Sequence, residues 1–476
     1  WCVNPIGTCD VCMHATDWGC DPYSPQNTCT NNMMGGTSAS GYFSPFQLGR
    51  QHRTLALYGA RKYAWGYSPT PYTVLANETW DFNIKFYQDI VVPNGITLTL
   101  QCIVEMVPEA KVIVEPGGHL IIDGGKITAA RFSDTFWGGI EVWGNSNEHQ
   151  GLVILKNGAV IEHAREAIRL WKPGNWDSMG GVVQVQGTPT QVGATFLNCR
   201  RSAEFMQHRN FVPGNPSTLT ANLSYFNYAK FLVDDGYRGG DDFEGHVTLW
   251  GVDGVQFRAC SFENAQTTVT DSQHLGKGIL SLDANYSVGG YCTVALPYGT
   301  PCPDENLDRG GFVGLGSGIY AADGGSGRGF AAGSLAFNNN IVGLYAEGLP
   351  GFSAIRNRFV IGGRSADLTG EVHSHFLDLH QRGISTQKCH GFRIEENTFS
   401  PAASVQANGM DAIVIENSGS NSTQVYKNTA TGMTSGYVAE GNCIDNTHAS
   451  AIGHEFTCNT NTDNEQNFWV RKDDYD

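Results

Sequence analysis

Three stretches of the chain gather residue types able to do chemistry. In Asp234-Asp235-Gly236-Tyr237-Arg238-Gly239-Gly240-Asp241-Asp242-Phe243-Glu244, the aspartates Asp234, Asp235, Asp241 and Asp242 stand on a glycine-rich loop, and carboxylate oxygens so placed suit a hard cation such as calcium. The ligand order of an EF-hand is absent, so the competing reading is a solvated loop. The two Asp pairs also fit the two-carboxylate requirement of glycoside hydrolysis, although sequence does not supply the separation. In Glu371-Val372-His373-Ser374-His375-Phe376-Leu377-Asp378-Leu379-His380, His373 and His375 fall on one side of any strand, with Asp378 and His380 near enough to complete a transition-metal set; ordinary surface histidines are the plainer reading. Trp137, Trp143, Trp171 and Trp176 lie close together, and exposed tryptophans stack on sugar faces, whereas buried ones fill loops against a wall.

These stretches need a scaffold, and composition narrows what it is. The 476 residues are 41% hydrophobic and only 16% charged, enough to bury a large core. A net charge of −16 without a basic run excludes nucleic acid as the main partner, because a phosphate backbone needs a concentrated cationic face. No apolar run reaches the ~18 residues that span a bilayer, so direct membrane insertion through a helix is not expected.

Thirteen cysteines point to an oxidising compartment. Cys2, Cys9, Cys12, Cys20 and Cys29 are disulfide candidates that would staple an N-terminal segment; Cys9 and Cys12 form a CxxC, but the spacings do not make a zinc ribbon. Cys292 with Cys302, and Cys443 with Cys458, are close enough to close short loops. Cys199, Cys260 and Cys389 sit among apolar repeat positions and read as buried thiols.

Glycine, at 59 residues, is nearly twice its usual share of roughly 7% and is spread along the chain. Residues 1 to 80 are rich in Cys, Pro, Asn and Ser, with one helix-like stretch from Gln47 to Trp65. From 81 to 476, short β-branched runs alternate with Gly and Asn turns, the mark of many short strands. Two runs align, Ile90 to Leu100 and Ile113 to Ile122, with Gly95 and Gly118 a solenoid-like 23 residues apart. Leu152 to Ile161 reads as a third copy. A second theme, an apolar residue followed by an Asn-rich turn, recurs at Phe196, Phe257, Phe337, Ile355 and Ile394. Ile319 and Phe337 are less than one coil apart, so the two themes fit successive sides of one helix. One coil alone exposes its apolar row and strand edges, and stacking buries both. The expected fold is all-β, a right-handed single-stranded parallel β-helix from 81 to 476 behind a Cys-rich cap at 1 to 80.

Trp137-Gly138-Gly139-Ile140-Glu141-Val142-Trp143-Gly144, followed by Gln150-Gly151-Leu152-Val153-Ile154-Leu155-Lys156-Asn157-Gly158-Ala159-Val160-Ile161, resembles the parallel β-helix repeat proteins exported by Bacteroidota, often through the type IX secretion system. The match covers about residues 89 to 171. The resemblance implies a secreted or outer-surface location more firmly than a chemistry. Polygalacturonase-type motifs are met only by fragments in the wrong order (Asp241-Asp242, Cys389-His390-Gly391, Arg393-Ile394-Glu395, then Asn461-Thr462-Asp463), so no catalytic role is carried over. The expected function is a structural or adhesive surface protein, with extracellular glycans or other surface proteins as partners and self-assembly through its ends. The alternative is a polysaccharide lyase or glycoside hydrolase, which requires carboxylates or Arg/Lys converging in a groove.

Overall fold

Apolar residues that fall on alternate positions of a short strand turn to one face, and here that face closes on itself. The computed structural model describes residues 49–50, 53 and 66–476, the latter without 132, 146–149, 176–179, 208–209, 213–214, 270–271, 298–299, 364–380, 404–408, 420–422, 446–451 and 472–476. The chain divides into two units, Trp1–Gly66 and Tyr67–Asp476. In the first, the cysteines Cys2, Cys9, Cys12, Cys20 and Cys29 lie outside the described residues, as does most of the helix expected over Gln47 to Trp65. Gly49, Arg50 and Arg53 are helical.

The second unit is built on three parallel sheets of 14, 13 and 13 strands, visited in rotation along the chain, with two-stranded antiparallel excursions between some of the turns. This is the right-handed parallel β-helix expected from the sequence. It starts earlier than residue 81, with Ser68–Thr73 pairing Gln88–Val92. That strand, Ser-Pro-Thr-Pro-Tyr-Thr, lacks a β-branched run and escapes a search for one.

The interior is a set of vertical columns. In the first sheet one column runs Ile90, Val112, Ile140, Ile168, Ala203, Val247, Ile279, Ile319 and Leu344. In the third sheet Phe196, Phe231, Phe262, Phe312, Phe337, Phe359 and Phe399 stack with centroids 4.6–4.9 Å apart. Beside them the first sheet carries Gly278, Gly318, Gly343 and Gly383. A Cβ at Gly343 would lie 2.7 Å from Phe359 and 2.6 Å from the Gly383 carbonyl, so the glycines make room for the rings. At the corner between the second and third sheets the amide of Asn357 donates to Asn397 Oδ1 (2.9 Å), that of Asn397 to Asn428 Oδ1 (3.0 Å), and that of Asn428 to Asn459 Oδ1 (2.8 Å). This ladder satisfies buried backbone donors that the bend takes out of the sheets.

The rung alignment differs from the sequence reading in two respects. Gly95 donates its amide to Gly117, and both have φ near the left-handed value (76° and 78°), so the repeat here is 22 residues and Gly118 is one position on. Leu152–Lys156 pairs with His119–Asp123 in the second sheet, whereas Ile90 lies in the first, so the third copy is offset by one side of the coil. Ile319 and Phe337 do lie on different sides of one turn. Left-handed corners fall on Asn157, Asn198 and Asn339 as anticipated, but also on Arg356, Glu396 and Lys427. Pairing of the flanking strands holds these residues where their own preference would not.

One polar side chain enters the phenylalanine column. His246 is fully buried against Phe231, Phe243 and Phe262; Nε2 lies 3.1 Å from the Glu263 carbonyl and Nδ1 3.5 Å from Ser202 Oγ. A carbonyl only accepts, so Nε2 carries the proton of a neutral ring. Burial pushes its pKa down to about 3, against about 6.5 unfolded. The unfolded chain therefore binds the proton first, and stability is expected to fall as pH drops from about 6.5 towards 3. Urea midpoints between pH 7 and pH 4 should decline more steeply for the native chain than for His246→Gln; parallel slopes would show that this ring does not set the acid limit.

The two ends of the coil differ. The first strand holds Pro69 and Pro71, which have no N–H to offer a further strand. At the other end, Phe468 and Val470 occupy core columns below Tyr437 and Ala439 yet are 48% and 70% exposed.

Candidate functional site

The acidic loop links third-sheet strand Ala229–Val233 to first-sheet strand Gly245–Trp250, and its carboxylates diverge. Asp234 Oδ1 accepts from Asn198 Nδ2 (2.7 Å) and the Gly236 amide (2.8 Å). Asp235 accepts from the amide and hydroxyl of Thr267, which hold its carboxyl below the usual range. Asp242 accepts from Tyr237 OH (2.6 Å) and faces Arg200 (3.3 Å), while Asp241 is exposed. Arg238 turns inward onto the Ser133 carbonyl (2.6 Å). The loop is a clasp; among the described residues no three His, Cys, Asp or Glu side chains converge as a metal set. His373, His375, Asp378 and His380 lie outside the described residues.

The expected tryptophan face is also dispersed. Trp137 is wholly buried and donates Nε1 to the Glu162 carbonyl (2.9 Å), so it is a core residue and not a sugar platform. Its Gly-Gly flank brings it under the next rung, where it bridges Ala164. Trp143 donates to Glu141 (3.1 Å) with Lys172 Nζ 3.9 Å over its ring, and Trp171 donates to Glu204 (3.1 Å) with the Arg169 guanidinium over its ring. Both belong to a charge ladder on the outer wall, in which Arg169 meets Glu141, Glu166 and Glu204. Trp176 lies outside the described residues.

Cys292 and Cys302 form a disulfide that closes an excursion between the second and third sheets. Cys443 and Cys458 are not paired. A second-sheet strand, Glu455–Thr457, lies between them, so they sit at different corners of the coil. Cys199, Cys260 and Cys389 are buried thiols, each pushed up to about 12 by burial.

Sequence reasoning missed a groove on the rim of the first sheet. Its floor is a register column in which Trp250, Leu282, Ala322, Glu347 and Gln387 close successive strands. The next residue of each strand turns the corner, and the amides of Gly251, Asp283, Asp323 and Gly348 bond the rung below at 2.9–3.0 Å. Trp250, Leu282, Asp283, Ala322, Asp323, Gly324, Glu347, Gly348 and Lys388 line a cavity of about 430 Å³. Trp250 is 49% exposed. Asp283 Oδ1 accepts the Gly324 amide (2.6 Å), and Arg328 braces this corner through Asp253 (2.9 and 3.0 Å) and the Asp283 carbonyl (3.1 Å). The carboxyls of Asp283 and Asp323 are neighbours; burial opposes charge on Asp323, but hydrogen bonds from the Ser326 hydroxyl and the Ser326 and Gly327 amides hold it below the usual range. Glu347 Oε2 accepts from Tyr320 OH (3.3 Å) and Tyr345 OH (3.4 Å), and burial together with that carboxylate raises the Tyr320 phenol to about 12. An indole face beside fixed hydrogen-bond acceptors can hold a ring that is apolar on its faces and hydroxylated at its edge. The signal lay in strand ends such as Leu282-Asp283, Ala322-Asp323 and Glu347-Gly348, which form a line only once the rungs are in register.

No family model matches the chain, and no curated protein matches it. Among solved structures it is similar to a tailspike protein mutant of E. coli bacteriophage HK620 in complex with a hexasaccharide, with 10% identity and a TM-score of 0.23, covering 88% of this chain and 76% of that one. Among the described residues no helix is long and apolar enough to cross a membrane.

Proposed function

We propose that this chain acts outside the cell as an adhesive β-helix that holds a glycan on the rim of its first sheet. The half-exposed Trp250 at the head of a groove lined by Asp283, Asp323, Glu347 and Lys388 carries the reading. The Cys292–Cys302 disulfide accords with an oxidising compartment. The resemblance of residues 89 to 171 to proteins exported by Bacteroidota, often through type IX secretion, supports a surface location.

Because Trp250 stands half out of the surface, Trp250→Ala is expected to leave the melting temperature nearly unchanged while lowering affinity for a bound glycan at least tenfold, about 1.4 kcal/mol. Screening the purified chain on a broad glycan array, followed by titration of the best ligand, checks this. Equal binding by the variant, or no binding by the native chain, would sink the reading. The acidic lining by Asp283, Asp323 and Glu347 favours a second reading, hydrolysis or lyase cleavage of the same glycan. Depolymerisation measured with and without calcium, lost in Asp323→Asn, would establish that one.

A further inference from the structure

We infer that the groove is an axial track for a linear, uncharged polysaccharide, with the sugar chain running parallel to the helix axis from Trp250 to Lys388. This inference rests on the glycan-binding reading above. The lining residues come from five successive first-sheet rungs, those ending at Trp250, Leu282, Ala322, Glu347 and Gln387, the last followed by Lys388. Rungs in a sheet are about 4.8 Å apart, so the groove extends roughly 19 Å along the axis. Successive pyranoses in an extended chain advance by nearly one such step, which brings each ring over its own rung. Ala322 and Gly348 keep the middle of the track low, and Trp250 gives one terminal ring a stacking surface.

Charge selects the class of sugar. Three carboxylates, Asp283, Asp323 and Glu347, face one cation, Lys388, within a chain of net charge −16, so uronate or sulfate groups would be repelled. The carboxylate oxygens instead accept from sugar hydroxyls, and Lys388 donates at the far end.

Calorimetric titration of the full chain with linear neutral oligosaccharides of increasing length, and with uronate oligomers as comparison, tests the track. Affinity is expected to rise with each added sugar up to about five and then level, with little dependence on salt. Trp250→Ala should weaken every length about tenfold, whereas Lys388→Ala should weaken only oligomers long enough to reach the last rung. Levelling at a disaccharide, or a Lys388→Ala effect on the shortest ligands, would replace the track with a local pocket. Tighter, salt-sensitive binding of uronate oligomers would overturn the charge assignment. Failure of every glycan to bind would remove the parent reading instead, a result distinct from either.

Discussion

Replacing Phe337 with alanine is expected to lower the stability of the β-helix by about 3–5 kcal/mol, the cost of emptying a large aromatic site in a close-packed core. Phe337 lies between Phe312 at 4.9 Å and Phe359 at 4.6 Å, with all three rings nearly parallel. What makes the site unforgiving is its lateral neighbour. Gly318 has no side chain to lean into a hole, and a Cβ there would already lie 2.8 Å from the Phe337 ring. The rungs above and below are fixed by hydrogen bonds to their own neighbours, so the cavity should persist. Urea unfolding followed by circular dichroism measures the loss, with Phe337→Leu as a milder control. A change under about 1 kcal/mol would mean that the rungs slide together and that the stack is not rigid.

Arg169→Met is expected to cost a similar amount, about 3–5 kcal/mol at neutral pH, because removing one partner strands charges that are already out of water. The guanidinium is 3.5 Å from Glu141 and 3.4 Å from Glu204 and also contacts Glu166, and the Glu141 side chain is only 2% exposed. Lys111 at 2.9 Å remains for Glu141 and Arg201 for Glu204, so the loss falls mainly on Glu166. Burial raises the Glu166 carboxyl, Arg169 opposes the rise, and Glu204 adds to it. Without Arg169 the Glu166 carboxyl will hold its proton to higher pH in the folded chain than in the unfolded one. The deficit should therefore shrink as pH falls towards 4, where protonation relieves the strain. Equal deficits at pH 7 and pH 4 would show that the side chain acts by packing alone.

Much of the coil is legible in the sequence because its periodicity is enforced by physics that short segments reveal. Val112 to Val114 and Leu152 to Lys156 are runs no helix or loop would choose, and Phe257 and Phe337 precede corners as expected. Phase is harder to read. Leu152-Val153-Ile154-Leu155-Lys156-Asn157-Gly158 looks the same whichever side of the coil it occupies, and only pairing with His119–Asp123 assigns it to the second sheet. The chemistry is less legible still. Trp137 carries the same residue name as Trp250, but one donates to a carbonyl in the core and the other stands at a rim. The groove draws Trp250, Asp283, Asp323, Glu347 and Lys388 from five strands, and none of these residues marks itself as part of a set until the register is known. Asp234, Asp235 and Asp242, which do stand together in sequence, are drawn apart by Asn198, Thr267 and Tyr237.

The prolines of the first strand and the bare Phe468 and Val470 of the last give the coil a polarity. Pro69 and Pro71 deny an incoming strand the donors it would need, whereas Gln466–Arg471 carries no proline and leaves Phe468 and Val470 exposed. Among the described strands, strand addition is thus opposed by backbone chemistry at Ser68–Thr73 and not at Gln466–Arg471.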